Sequence, residues 1–317
     1  MRLSRPFFQL PILFDVVRLQ AEVAALPSEA WVAHPDAVPG NSASRLISVD
    51  GVETDDVHGQ MLPTRWLGTM PYLHQILAGF GVVWGRSRLM RLAPGARVPE
   101  HADINYHWHT RVRMHIPIFT QPEVRFHCDG QSVHMAAGEA WIFDNWRRHH
   151  VENGSQAARI HLVADTSGTA AFWQFACGEP PPREQWRTVG WQPERRSQLL
   201  TEGNKRTAIM PAAEVQLLVD DLCTELSAVS AEAKTRAAPF TLALESFVYD
   251  WRQLCALHGI DGRARPEFQR LAGILHQNVK PFAEGLVMRT NNVGALLVLE
   301  KRVLQHLLVD KEARLKP

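Results

Sequence analysis

A histidine and an aspartate two residues apart, His101-Ala102-Asp103, followed later by the adjacent pair His149-His150, are the densest metal-binding chemistry in the 317-residue chain. Side chains alternate across a strand, so His101 and Asp103 project to one side and can grip the same ion. One imidazole from the later pair would complete a set of two nitrogens and one carboxylate. Such a set on one octahedral face leaves positions open for co-substrate and O2, as in non-haem Fe(II) oxygenases, although Zn(II), Mn(II) and Ni(II) suit the same donors. H-x-D alone is common in surface loops and needs structural context. Here Gly138 to Asp144 reads as a turn and a strand, and a short polar loop leads to the histidine pair.

The remaining histidines read differently. His107 and His109, in the run YHWHT, have no carboxylate beside them and read as substrate-contacting or exposed. His127, His134 and His161 fall in strand-like runs, where a satisfied structural histidine is the expectation.

A second constellation is basic. Residues 81–125 hold seven arginines, no lysine and three acidic residues. Alternation over 111–116 puts Arg111, Arg113 and His115 on one face, and over 159–164 it sets Arg159, His161 and Val163 opposite Ile160, Leu162 and Ala164. Arginines turned into a cavity need an anion, and a planar guanidinium fits a carboxylate, of which 2-oxoglutarate has two. The plainer expectation is that some of them pair with Glu100, Asp103 or Glu123 or face solvent.

The elements that must position these groups form two stretches. From about residue 82 short strand-like runs are separated by turns: GVVWG, SRLMRLA, RVRMHIPIF, EVRFHC, SVHMA, EAWIFD and RIHLVAD, linked by Pro94-Gly95, Asp129-Gly130, Gly138 and Asn153-Gly154. This pattern predicts a mainly β sandwich or barrel of jelly-roll type. Before it, residues 14–25 repeat apolar positions at helical spacing. After the stiff run Cys177 to Pro182, helices are expected over 211–229, 241–257, 266–278 and 292–309. The expected organisation is a jelly-roll domain with N-terminal helical elements over 1–180 and an α-helical domain over 190–317, the boundary lying between about 178 and 205.

Composition narrows the class. With 34 basic and 33 acidic side chains, no global field recruits nucleic acid or an anionic membrane. The four cysteines are scattered without a C-x-x-C, which argues for reduced thiols rather than a disulfide framework or zinc ribbon. The N-terminal run is interrupted by Gln9, Pro11 and Asp15, so it does not read as a signal peptide, and no apolar run approaches the ~20 residues of a membrane span. A cytoplasmic enzyme is the expectation.

Three blocks resemble the aspartyl/asparaginyl β-hydroxylase family of Fe(II)- and 2-oxoglutarate-dependent oxygenases, and bacterial members including proline-type hydroxylases in particular. They are MRLAPGARVPEHAD at 90–103, RVRMHIPI at 111–118, and GEAWIFDNWRRHHVEN with ARIHLVAD at 138–165. The resemblance implies a double-stranded β-helix, cupin-like, with Fe(II) held by His101, Asp103 and the histidine ten residues before the strand arginine. That histidine is His149, which leaves His150 turned away. It further implies Arg159 on one carboxylate of 2-oxoglutarate, with Arg113 and His115 near the other end, and Met90 where the family has a serine.

The activity so implied consumes 2-oxoglutarate and O2, releases succinate and CO2, and hydroxylates a C–H bond of an amino acid, an amino-acid derivative or a peptidyl residue. Two other readings share the fold: a non-catalytic cupin-like sensor or ligand-binding module, and a metal-dependent isomerase or lyase. The expected partner is a small-molecule or peptide substrate, with the helical segment a candidate lid or homodimer contact.

Overall fold

Alternation of buried and exposed side chains builds the strands of this computed structural model, which describes residues 1–33, 38–194, 198–203 and 207–309. By packing, the chain divides into two units, one of residues 1–102 and 110–204, the other of residues 103–109 and 205–317. Residues 195–197 and 204–205 of the expected boundary stretch lie outside the described residues.

The first unit runs β1 (Phe7–Phe14), α1 (Val16–Ala24), β2 (Val32–Ala33), β3 (Asn41–Val49), β4 (Met61–Pro63), α2 (Arg65–Gly68), α3 (Pro71–Gly79), β5 (Val83–Leu92) and β6 (Arg97–His101). It continues with β7 (Val112–Phe119), β8 (Val124–Cys128), β9 (Gln131–Val133), β10 (Glu139–Phe143), β11 (His149–Asn153), β12 (Arg159–Thr166), α4 (Ala170–Cys177), β13 (Arg187–Val189) and β14 (Leu200–Thr201). A ten-stranded sheet has the order β13-β1-β10-β7-β12-β5-β3-β2, with β14 on β5 and β4 on β3. A four-stranded sheet has the order β6-β11-β8-β9.

Side chains of both sheets meet between them. Phe7 of β1 and Phe143 of β10 pack on Phe126 of β8, with ring centroids 5.7 and 4.7 Å apart. The other face of the large sheet buries Val112, Met114, Ile116, Leu162 and Ala164 in one cluster with Leu19, Val23, Leu73 and Ile76 of α1 and α3. The fold is a double-stranded β-helix of jelly-roll, cupin-like form, followed by helices. Asp129 and Gly130 both take positive φ (50° and 74°), as a two-residue hairpin turn between β8 and β9 requires. At Gly138 (φ 80°) a Cβ would also stand 2.8 Å from the carbonyl oxygen of Phe14.

Several expectations change. Helices α1, α2 and α3 stand in the N-terminal part, but β1 precedes them and lies inside the large sheet, between β13 and β10. The helix expected over 14–25 starts at Val16, because Asp15 takes an extended conformation and its carboxylate accepts the Arg18 N–H at 3.0 Å as an N-cap. The runs at 81–85 and 87–93 are one strand, β5.

The second unit holds α5 (Ala212–Glu225), β15 (Leu226–Ala228), α6 (Ala231–His258), α7 (Arg265–Val279), β16 (Leu286–Met288) and α8 (Ala295–Val298). The helix expected over 211–229 stops at Glu225 and the chain pairs as β15 with β16. That expected over 241–257 is the second half of α6, which starts where the Ser230 hydroxyl accepts the Ala233 N–H. The stretch 292–309 breaks into α8, a π turn at Leu299–Val303 and a 3-10 turn at Leu304–His306. Arg302, 3% exposed, donates to Ile104 O at 3.2 Å and to Asp221 Oδ2 at 2.8 Å, tying residues 103–109 to α5. The cysteines are free, and no helix of the described residues is long and apolar enough to cross a membrane.

Candidate metal centre

Strand pairing brings the first ligand candidates together. His101 ends β6 and lies directly across from His149 at the start of β11, their ring centroids 4.2 Å apart. A bulge between this pair and Val151↔Val98 adds one residue to β6 at Pro99-Glu100 and re-aims His101, a device common beside active sites. One ring nitrogen from each histidine and one carboxylate oxygen of Asp103, two residues further along the chain, lie within 4.8 Å of one another.

The donor chemistry fits a metal. His101 Nδ1 is 2.8 Å from Pro99 O and His149 Nδ1 is 2.9 Å from Arg147 O. A carbonyl can only accept, so each Nδ1 carries the proton and each Nε2 keeps its lone pair for a ligand bond. Orientation of ligand imidazoles by such outer hydrogen bonds is the usual arrangement. Alternation along β11 separates the adjacent histidines. His149 is 2% exposed, whereas His150 stacks on His127 at 4.2 Å and faces Glu152.

Beyond His149 a polar layer lines the inner face of the large sheet. Phe143 touches His149 (4.8 Å) and His115 (5.5 Å), and His115 meets His161 edge-on at 5.8 Å. Arg159, 4% exposed, donates from its terminal nitrogen to His161 Nδ1 at 2.7 Å and approaches His115 Nδ1 at 3.5 Å. Among the described residues no carboxylate pairs with it, and burial pushes its pKa down to about 9. The guanidinium therefore stays charged at neutral pH. His115 and His161 are held well below the ordinary histidine range, first by burial and then by the Arg159 charge, so both are neutral.

Four of the arginines, Arg86, Arg88, Arg111 and Arg113, have carboxylates far along the chain. Asp165, opposite Arg113 across β12 and β7, lies 3.6 Å from Arg113 and 3.9 Å from Arg86. Asp55 takes Arg88 at 3.1 Å and also Arg45, and Glu202 takes Arg111 through two bonds of 2.6 and 2.8 Å. Glu100 lies 3.4 Å from Arg148, outside the basic run. Arg113 and His115 thus share the layer with Arg159, and Arg111 is tied to Glu202.

The two histidines of YHWHT are not exposed side chains: His107 is 2% exposed against Trp108, and His109 lies 3.7 Å from Asp221 within the second unit. His134 is satisfied by Val124 O, as expected of a structural histidine. His161 is different, being buried on the same face as Arg159, and its signal was that shared face. Asn153 closes β11: its amide donates to Leu92 O, Ala93 O and Ala157 O, fixing the turn between His149 and Arg159.

The fold and this constellation define a double-stranded β-helix with a candidate two-histidine, one-carboxylate metal centre. Residues 62–168, which include His101, Asp103, Arg113, His115, His149, Arg159 and His161, match the Aspartyl/Asparaginyl beta-hydroxylase family, and the likeness read from the three sequence blocks holds over them. That family is one of hydroxylases. No curated protein matches the chain. Among solved structures, a 2OG-Fe(II) oxygenase family oxidoreductase from Burkholderia pseudomallei is similar at 16% identity, over 49% of this chain and 79% of that one, with a TM-score of 0.36. A Pseudomonas putida prolyl-4-hydroxylase is similar at 15% identity over 53% and 95%, with a TM-score of 0.34. A cupin domain from Bordetella pertussis is similar at 18% identity over 26% and 79%, with a TM-score of 0.21.

Proposed function

We propose that this chain is an Fe(II)- and 2-oxoglutarate-dependent dioxygenase that hydroxylates a C–H bond of an amino acid, an amino-acid derivative or a peptidyl residue. The observation that carries the reading is a buried guanidinium, Arg159, with no carboxylate partner among the described residues, in the same layer as His115, which Phe143 links to His149. A buried charge with no counter-ion is costly, and a dicarboxylate reaching from the metal centre would neutralise it.

In this reading His101, Asp103 and His149 hold the iron. With 2-oxoglutarate and O2 bound, the iron supplies the oxidising chemistry that yields succinate, CO2 and a hydroxylated carbon. Arg159 binds the carboxylate far from the metal, and Arg113 and His115 orient the near end. Asp165 keeps Arg113 aligned without cancelling Arg159. Phe126 and Phe143, packed on His115 and His149, exclude water from the layer.

The test is anaerobic loading with Fe(II), then O2 and 2-oxoglutarate, with succinate measured against a panel of free amino acids, acylated amino acids and peptides. Succinate formation that rises with one member of the panel is expected. Absence of both 2-oxoglutarate binding and succinate, even without a substrate, would refute the proposal.

A further inference from the structure

Arginine has only donors, so the 2.7 Å contact between the Arg159 terminal nitrogen and His161 Nδ1 fixes that nitrogen as an acceptor. The His161 proton must then sit on Nε2, where it is buried and meets no acceptor among the described residues. A buried donor left unsatisfied is normally selected against, and its presence calls for a reason. Met90, directly across the sheet from His161, offers only a thioether. His161 is therefore placed for what Nδ1 does, which is to hold one N–H of Arg159.

The neighbouring arginines show the alternative. Arg113, Arg88 and Arg111 are held by Asp165, Asp55 and Glu202, and each of those carboxylates cancels charge while it orients. Arg159 is held by an uncharged ring instead. We infer that His161 is a positioning residue that orients Arg159 through a neutral acceptor, so that the whole guanidinium charge is left for the far carboxylate of the co-substrate. The inference rests on the 2-oxoglutarate reading of the site. It deepens that reading by assigning the choice of a dicarboxylate co-substrate to the pair rather than to Arg159 alone.

Three substitutions and a pair of ligands test it, using Zn(II)-loaded full-length protein and calorimetric titration. The ligands are 2-oxoglutarate and 2-oxopentanoate, which has the same carbon chain with a methyl group in place of the far carboxylate. His161→Leu, which removes the acceptor, should weaken 2-oxoglutarate by about 10-fold, the scale of one hydrogen bond to a charged group, and leave 2-oxopentanoate unchanged. His161→Gln, which retains an acceptor, should recover most of the loss. His161→Asp should weaken 2-oxoglutarate by about 100-fold or more, yet raise the melting temperature without ligand, because it neutralises the guanidinium.

Equal 2-oxoglutarate binding by wild type and His161→Leu would overturn the inference while leaving the proposed function standing. Equal losses for both ligands would also overturn it, since they would mark a general packing defect. No 2-oxoglutarate binding by the wild type would remove both. Nitrogen-15 spectra of the wild type need no variant to fold. They should show Nδ1 of His161 unprotonated and Nε2 protonated, and a proton on Nδ1 would overturn the inference.

Discussion

Replacing Arg159 by methionine should make the ligand-free protein more stable and the ligand-bound protein less so. Burial moves the Arg159 pKa from the ordinary arginine range down to about 9. At about 1.4 kcal/mol per unit this is a penalty of roughly 5 kcal/mol on the charged form. The folded value lies below the unfolded one, so the penalty is complete at neutral pH and fades only as pH rises through about 9. Methionine keeps much of the volume, and it forfeits the bond to His161, a hydrogen bond to a charged group worth about 1.5 kcal/mol. Buried charges exchanged for apolar side chains return about 1–4 kcal/mol, so a gain of about 2 kcal/mol is expected. In a unit of this size that raises the melting temperature by about 4–8 °C.

Adding 2-oxoglutarate at about 100 times its dissociation constant stabilises the wild type by about 2.7 kcal/mol and should do nothing for Arg159→Met, so the order of the two proteins reverses. Thermal melts of the Zn(II)-loaded proteins with and without ligand decide it. An Arg159→Met protein that melts below the wild type without ligand would show that the guanidinium is compensated after all. Equal stabilisation of both by 2-oxoglutarate would refute its role in binding.

Three further outcomes are expected. His149→Ala should abolish tight metal binding and His150→Ala should retain it, measured by the visible absorption of bound Co(II). The opposite result would reassign the ligand. Asp165→Asn leaves Arg86 and Arg113 without their shared carboxylate and should destabilise the protein by about 3 kcal/mol in chemical denaturation. His115 and His161 stay neutral in the fold while their unfolded counterparts protonate near the ordinary histidine value of about 6.5, so stability should fall as pH drops below that value, by up to about 1.4 kcal/mol per pH unit for each. A flat stability profile between pH 6.5 and 5 would contradict this.

Strands β5 and β7 to β12 were legible because their side chains alternate and their links carry turn residues, whereas β6, RVPEH, is short and broken by Pro99. β1 was not, since FFQLPILF is buried on both faces and shows no period of two. β3 reads as polar, NSASRLISV, because three serines, an asparagine and an arginine interrupt its apolar positions. The first half of α6 was hidden by Pro239, which the long helix tolerates. At the site, His149 came from the family resemblance, as the histidine ten residues before the strand arginine, and alternation put His150 on the other face. The ion-pair partners were beyond reach: Arg88 and Asp55 are 33 residues apart, Arg111 and Glu202 91, and only tertiary structure joins them. His161 could have been found from its shared face with Arg159, but the same alternation describes any structural histidine.

Pro99 has a second consequence. β6 is an edge of the four-stranded sheet, and an uncovered edge invites another chain to add a strand and begin aggregation. A proline there has no N–H to offer, the bulge breaks the repeat of the remaining groups, and Arg97 and Glu100 put charge on the rim. The irregularity that turns His101 toward His149 thus also guards the open end of the sheet against self-association, so variants that regularise β6 should lose solubility together with metal affinity.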